Sequence, residues 1–215
     1  MFFFTKIYFP RFSPADYEKR IQQKLLEVDV LNGESSNYQA LLKLRKHISN
    51  MSASFRQLKG ISHVEAIDIL EKQVNQAIIA ALNNESTQPY KQYLNNSFSL
   101  LKVQFEEDKT FNKVFSGFNI FTNSILTAAS AFGVILFGAA VTTGPLGLAL
   151  LGLGMAVLSA LLLTVAVYSI YVDGRYLHDF QLQEIKEGIE FLNTFDDASL
   201  SLEPEAESSS ILGNA

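Results

Sequence analysis

Two kinds of hydrophobic pattern divide the chain. Over residues 13–113 apolar side chains return every three or four positions with polar ones between, the period of a helix that buries one face. Tyr17, Ile21, Leu25 and Val28 make the first such stripe, and Leu41, Leu44, Ile48 and Met51 the second. Val64, Ile67, Leu70, Val74, Ile78 and Ala81 make the third; Tyr93, Leu94, Phe98, Leu101 and Phe105 make the fourth. Local signals bound these helices. Ser13-Pro14-Ala15-Asp16 offers an N-cap, a proline at the first helical position and an acid in the first turn, and Asn32-Gly33 closes the first helix. Ser35-Ser36 precedes the second helix and Gly60 breaks it. Ser62-His63-Val64-Glu65 has the form of a capping box for the third, which ends at Asn83-Asn84. Pro89 opens the fourth, and with no Gly or Pro before Gly117 it is expected to run on into the segment that follows.

That segment has a different pattern. Val114–Val172 is 59 residues without one charged side chain. Thr142-Thr143-Gly144-Pro145 splits it into two apolar runs, about 120–141 and 146–171. Each exceeds the roughly 20 residues a helix needs to cross a hydrocarbon core of about 30 Å. No period-2 alternation is present, so barrel strands are not expected, and a spanning segment that is not a barrel must be helical to pair its own backbone groups in lipid. The break is too short to do more than reverse the chain. Gly144 and Pro145 are read as the hairpin turn, with Pro145 in the first turn of the second helix, where its missing N–H costs nothing. The expectation is a two-helix transmembrane hairpin over residues 114–172. Ala129 and Gly133 in the first run, with Gly152, Ala156 and Ala160 in the second, fall at helical spacing and offer a close-packing seam. Its partner is either the other arm of the hairpin or a second copy of the chain, which would make a homo-oligomer. A competing reading is a hydrophobic hairpin buried inside a soluble helical protein, as in pore-forming toxins that insert only when triggered.

After the hairpin, Asp173-Gly174 is read as a short turn. Leu177, Phe180, Ile185, Ile189 and Leu192 then predict a C-terminal amphipathic helix within residues 173–195. Residues 196–215 are rich in Ser and Glu with few large apolar groups, the composition of a disordered acidic tail. At the other end, residues 1–12 form an aromatic arm carrying Phe2, Phe3, Phe4, Tyr8 and Phe9. It is either an extended arm or strand packed on the helices, or an aromatic edge that dips into a membrane. Lys6, Pro10 and Arg11 interrupt any signal-peptide core there, and no basic segment precedes it. The fold class expected is all-α: an N-terminal amphipathic helical bundle, a two-helix transmembrane hairpin, a further C-terminal helix and a disordered acidic tail.

Charge sets an orientation. Residues 1–113 carry 15 Lys and Arg against 12 Asp and Glu, net +3, whereas residues 173–215 carry 2 against 10, net −8. Lys102, Lys109, Lys113 and Arg175 flank the open ends of the hairpin while its turn is uncharged, so both termini are expected on the cytosolic side. Tyr168, Tyr171 and Tyr176 at one end, with Phe111, Phe115 and Phe118 at the other, suit an interfacial belt. Lys43, Arg45 and Lys46 read as a solvated face of the second helix, or as one that rests on anionic lipid. The positive excess is too dilute for a nucleic-acid footprint. With no cysteine in the chain, disulfides, thiol nucleophiles and thiolate metal sites are excluded.

Chemistry-bearing motifs are sparse. His47, His63 and His178 fall on three different predicted helices, and none has a second His or a carboxylate at metal-site spacing. Gly152-x-Gly154 lies within an apolar helix with no strand before it, so helix packing explains it better than a dinucleotide loop. No P-loop, nucleophile elbow or kinase motif set occurs. Neither an enzyme, a cofactor nor a metal is expected. The 59-residue run holds no charge of the sort transporters place in the membrane. The last residues, Ser201-Leu-Glu-Pro-Glu-Ala-Glu-Ser-Ser-Ser-Ile-Leu-Gly-Asn-Ala215, resemble the C-terminal translocation signals of type IV (Dot/Icm) effectors of intracellular bacteria such as Legionella and Coxiella. Glu203, Glu205 and Glu207 supply the acidic block of that signal and Leu212 its apolar position near the end; an ordinary solubilising tail is the other reading. The resemblance implies secretion into a host cell and residence in a host organelle membrane. Two functions therefore stand: a membrane-anchored helical module that binds a protein partner, and a membrane-active protein, pore-forming or membrane-shaping, whose hairpin is the working element.

Overall fold

In the computed structural model the chain is described over residues 6–10, 16–32, 36–62, 65–83, 85–107 and 109–200. Seven helices are present among the described residues: α1 Asp16–Asn32, α2 Ser36–Ile61, α3 Glu65–Leu82, α4 Gln88–Glu107, α5 Lys109–Thr143, α6 Leu146–Leu177 and α7 Phe180–Leu200. The chain is all-α, as its periodicity predicts, and it divides into a helical head, built by α1–α4 and α7, and a hairpin of two long apolar helices, α5 and α6. The Ser13-Pro14 cap, His63, Val64, Asn84, Asp108 and residues 201–215 lie outside the described residues.

The head is ordered by the stripes already apparent in the sequence. Ile21 and Leu25 of α1 meet Leu44, Ile48, Met51, Phe55 and Leu58 of α2; Ile67, Leu70, Val74 and Ile78 of α3 and Leu94, Leu101 and Phe105 of α4 close the same core. Into the middle of it comes α7, through Ile185, Ile189 and Leu192. Its close approach to α2 depends on Gly188, where a Cβ would lie 2.1 Å from the Met51 sulfur. Polar contacts hold α7 on two sides: Thr87 Oγ1, just before α4, donates to the Leu192 carbonyl at 3.1 Å, and Gln181 Nε2 donates to Gln57 Oε1 of α2 at 3.1 Å. His47 stacks on Phe191 with ring centroids 4.5 Å apart, and burial pulls its pKa below the usual histidine value. Its role is packing.

Several boundaries differ from the sequence reading. Gly60 does not break α2, which continues to Ile61; the missing Cβ instead makes room for the Tyr8 ring, which would stand 2.9 Å from it. Asp173-Gly174 is not a turn. α6 runs through both to Leu177, and the reversal falls at His178-Asp179, where Asp179 takes φ 58°. Aspartate is among the few non-glycine residues that reach this left-handed region at modest cost. α7 extends to Leu200, five residues past the predicted limit of the helix at 195. Position 108, where α4 is expected to run on into α5, lies outside the described residues.

Candidate functional site: an apolar hairpin with a polar root

At 1.5 Å per residue, the 35 residues of α5 and the 32 of α6 make rods of about 50 Å, longer than a bilayer of about 40–45 Å including headgroups. Among the described residues these are the two helices long and apolar enough to cross a membrane. Only 6% of the most apolar stretch of α5 and 17% of that of α6 is buried. Large side chains face outward: Phe121, Phe132, Ile135, Leu136, Leu146, Leu151 and Leu161 are all exposed. Small and polar ones face inward, with Gly152, Ser159, Ala166 and Asp173 of α6 buried at a strict seven-residue spacing. Opposite them, Ser116, Asn123 and Ser130 of α5 are buried at the same spacing.

The turn is Gly144-Pro145 alone, since α5 reaches Thr143 and α6 starts at Leu146. Pro145 sits at the N-cap, one residue earlier than predicted. A Cβ on Gly144 would meet the Ala140 carbonyl oxygen at 2.8 Å, so the tightness of the reversal excludes larger residues. Thr142 and Thr143 both turn their hydroxyls onto the Ala139 carbonyl, at 2.9 Å each. Ser124 and Thr164, also on outward faces, donate to Ile120 at 2.8 Å and Ala160 at 2.9 Å. A hydroxyl satisfied by its own helix is cheap to place in lipid.

The predicted small-residue seam is placed unevenly. Gly133 faces Ser159, whose Oγ would lie 2.6 Å from an added Cβ, and Gly152 faces the Phe137 carbonyl oxygen at 3.0 Å and the Ala140 methyl at 3.2 Å. Ala156 is half-buried, and Ala129 and Ala160 are exposed. Steps of four drift around a helix of 3.6 residues per turn, whereas steps of seven stay nearly in line. The line 152–156–160 therefore leaves the contact that 152–159–166 follows. Tyr171 is exposed, Tyr168 half-buried and Phe111 75% exposed, but Tyr176 is buried in the head against Phe105, ring centroids 6.2 Å apart, and takes no part in a belt.

At the open end of the hairpin lies a polar cluster that the sequence reading missed. Residues 6–10 cross α5 and α6 in extended form. The Lys6 N–H donates to Asn119 Oδ1 at 2.8 Å, and Asn119 Nδ2 returns a bond to the Lys6 carbonyl at 3.0 Å and another to Asp173 Oδ2. Asn123 Nδ2 also reaches the Lys6 carbonyl, at 3.3 Å. The Tyr8 N–H donates to Ser169 Oγ at 2.9 Å and its hydroxyl to Asp173 Oδ1 at 3.4 Å, while Lys6 Nζ caps the Ile61 carbonyl of α2 at 2.7 Å. Asp173, Asn119 and Asn123 are at most 1% exposed. Asn119, Ser116 and Tyr8 all hydrogen-bond to the Asp173 carboxyl, and the Lys6 charge stands near it. Tyr8 is pushed up by burial first and by Asp173 second. One strap thus ties the arm, both hairpin helices and α2 together.

Two ionic junctions complete the root. Arg175 pairs with Glu184 of α7, and Ser54 of α2 donates to the same carboxylate at 2.6 Å. Asp179 receives Lys109 at 3.4 Å and Lys113 at 3.2 Å, and Lys113 Nζ also caps the last turn of α6 through the Leu177 carbonyl at 2.9 Å. A signal for the strap existed in the sequence: Ser116, Asn119 and Asn123 share one face of an otherwise apolar helix, as do Ser169 and Asp173. Among the described residues no group of three or more His, Asp or Glu is placed to hold a metal ion. His178 lies in the turn after α6, and His47 is far from it in the α2–α7 junction. Glu203, Glu205, Glu207 and Leu212 lie outside the described residues. No family model, curated protein or solved structure matches the chain.

Proposed function

We propose that this chain is an integral membrane protein whose α5–α6 hairpin spans the bilayer once in each direction and holds the α-helical head against one surface as a protein-interaction module. The observation that carries the reading is the inversion of side chains in the hairpin: small and polar residues pair inside while large apolar ones face out. In water this arrangement would expose far more contiguous apolar surface than soluble monomers carry. In lipid it costs nothing, and close backbone packing supplies the association. The buried-hairpin alternative needs the head to wrap these helices, and the head spends its own apolar stripes on its own core. Lys102, Lys109, Lys113 and Arg175 at the open end, against an uncharged turn, support both termini on the cytosolic side. The acidic C-terminal segment, similar to type IV translocation signals, extends the reading to an effector that acts at a host membrane.

Microsomal insertion tests this. Asn50, Asn84 and Asn95 begin glycosylation sequons, all before the hairpin. Carbonate-resistant pelleting without glycan, and with both ends open to protease, is the expected result. Release by carbonate would overturn the anchor and move the triggered, pore-forming alternative to first place. Glycan on the head would reverse the orientation.

A further inference from the structure

Beside the root, α4, the start of α5, the end of α6 and the start of α7 enclose an open cleft of about 420 Å³. Its floor is aromatic and aliphatic, from Phe98, Phe105, Tyr176 and Leu182. Three ammonium groups line it from three separate helices: Lys102 of α4, Lys109 of α5 and Lys186 of α7. Lys113 stands behind Lys109 on the shared Asp179 carboxylate. Among the described residues the carboxylates lining the cleft are Asp179 and Glu106, so three lysines meet two acids there, and counting the ion-pair neighbours Lys113 and Glu190 makes it four against three. Lys102 and Lys186 are tied only by exposed pairs one turn along their own helices, to Glu106 at 3.8 Å and Glu190 at 3.5 Å, a weak hold that a phosphate can displace.

We infer that this cleft binds the headgroup of one anionic phospholipid, its phosphate among Lys102, Lys109 and Lys186, from the leaflet on the head's side. The inference rests on the membrane-spanning reading, which fixes the depth of the cleft. With the Gly144-Pro145 turn at the outer edge of the far headgroup layer, the length of α5 puts Lys113 at the outer edge of the near headgroup layer and Lys109 one turn above it, from which lysine side chains about 6 Å long reach back to the phosphates. Phe111, two residues along α5 from Lys109, and Phe180, next to Asp179, are exposed at the same level, as groups that enter an interface would be. The lysine charge is of the right sign and the floor is apolar enough to take the first carbons below a glycerol. A free anion would use the charge and leave that floor bare.

The test uses the full chain in mild detergent, titrated with dioleoylphosphatidylserine or dioleoylphosphatidylcholine and read by native mass spectrometry. One phosphatidylserine retained per chain in preference to phosphatidylcholine is the expected result. Each lysine changed to Gln in K102Q, K109Q and K186Q should cost about fivefold in that preference, the equivalent of roughly 1 kcal/mol per basic residue at an anionic surface. K43Q/R45Q/K46Q, which removes three positive charges from the exposed face of α2, should leave it unchanged. Equal binding of the two lipids, loss of preference in the α2 triple variant, or displacement by equimolar inorganic phosphate would each overturn the site. Carbonate extraction of the same variants separates the two readings: a chain that inserts without lipid preference refutes only the cleft, and one that fails to insert refutes the anchor.

Discussion

The head and the hairpin are built from the same element with the side chains reversed. In the head, Leu44, Ile48, Phe55, Leu70 and Ile185 are essentially inaccessible, and charge faces out. In the hairpin, Gly152, Ser159 and Ala166 occupy the interior and Phe132, Ile135 and Leu162 the outside. Water drives large apolar groups together, so the head packs by volume. Lipid, where the proposed function places the hairpin, gives no such drive, and the hairpin packs by close backbone approach and by pairing what polar groups it has. The polar root is where one regime hands over to the other, and there the chain uses hydrogen bonds and ion pairs between parts far apart in sequence.

From this contrast, equal insults should have opposite consequences. Phe55→Ala should cost the head about 3–5 kcal/mol, read by thermal denaturation, while leaving carbonate-resistant insertion intact. Ile135→Arg should do the reverse. A charge near mid-span opposes insertion by about 2.5–3.5 kcal/mol and touches nothing in the head. Loss of head stability in Ile135→Arg would show that the hairpin belongs to the head's core.

A smaller effect tests the register of the hairpin. Gly152→Leu should separate α5 from α6, at roughly 1–3 kcal/mol of overpacking, and lower resistance to unfolding in detergent. Ala160→Leu, on the exposed side of the same helix, should change it by less than about 0.5 kcal/mol. Equal losses from the two would restore the four-residue seam and remove the seven-residue one.

Much of this architecture was legible along the chain, because helical periodicity and the absence of charge are local properties. The stripe from Leu41 to Met51 and the apolar runs on either side of Gly144-Pro145 state their own burial or exposure. The sequence by itself thus determined which segments are helices, which of them are amphipathic, and which two are apolar enough for lipid. Only the tertiary structure decided how the two regimes are joined. Lys6 and Asn119 are 113 residues apart and Asn119 and Asp173 54 apart, so no window along the chain contains their hydrogen bonds. Asp173-Gly174 has the local form of a turn and yet lies within a helix, since a buried carboxylate with Asn119 and Tyr8 to satisfy it is stable only when those distant donors have already been brought to it.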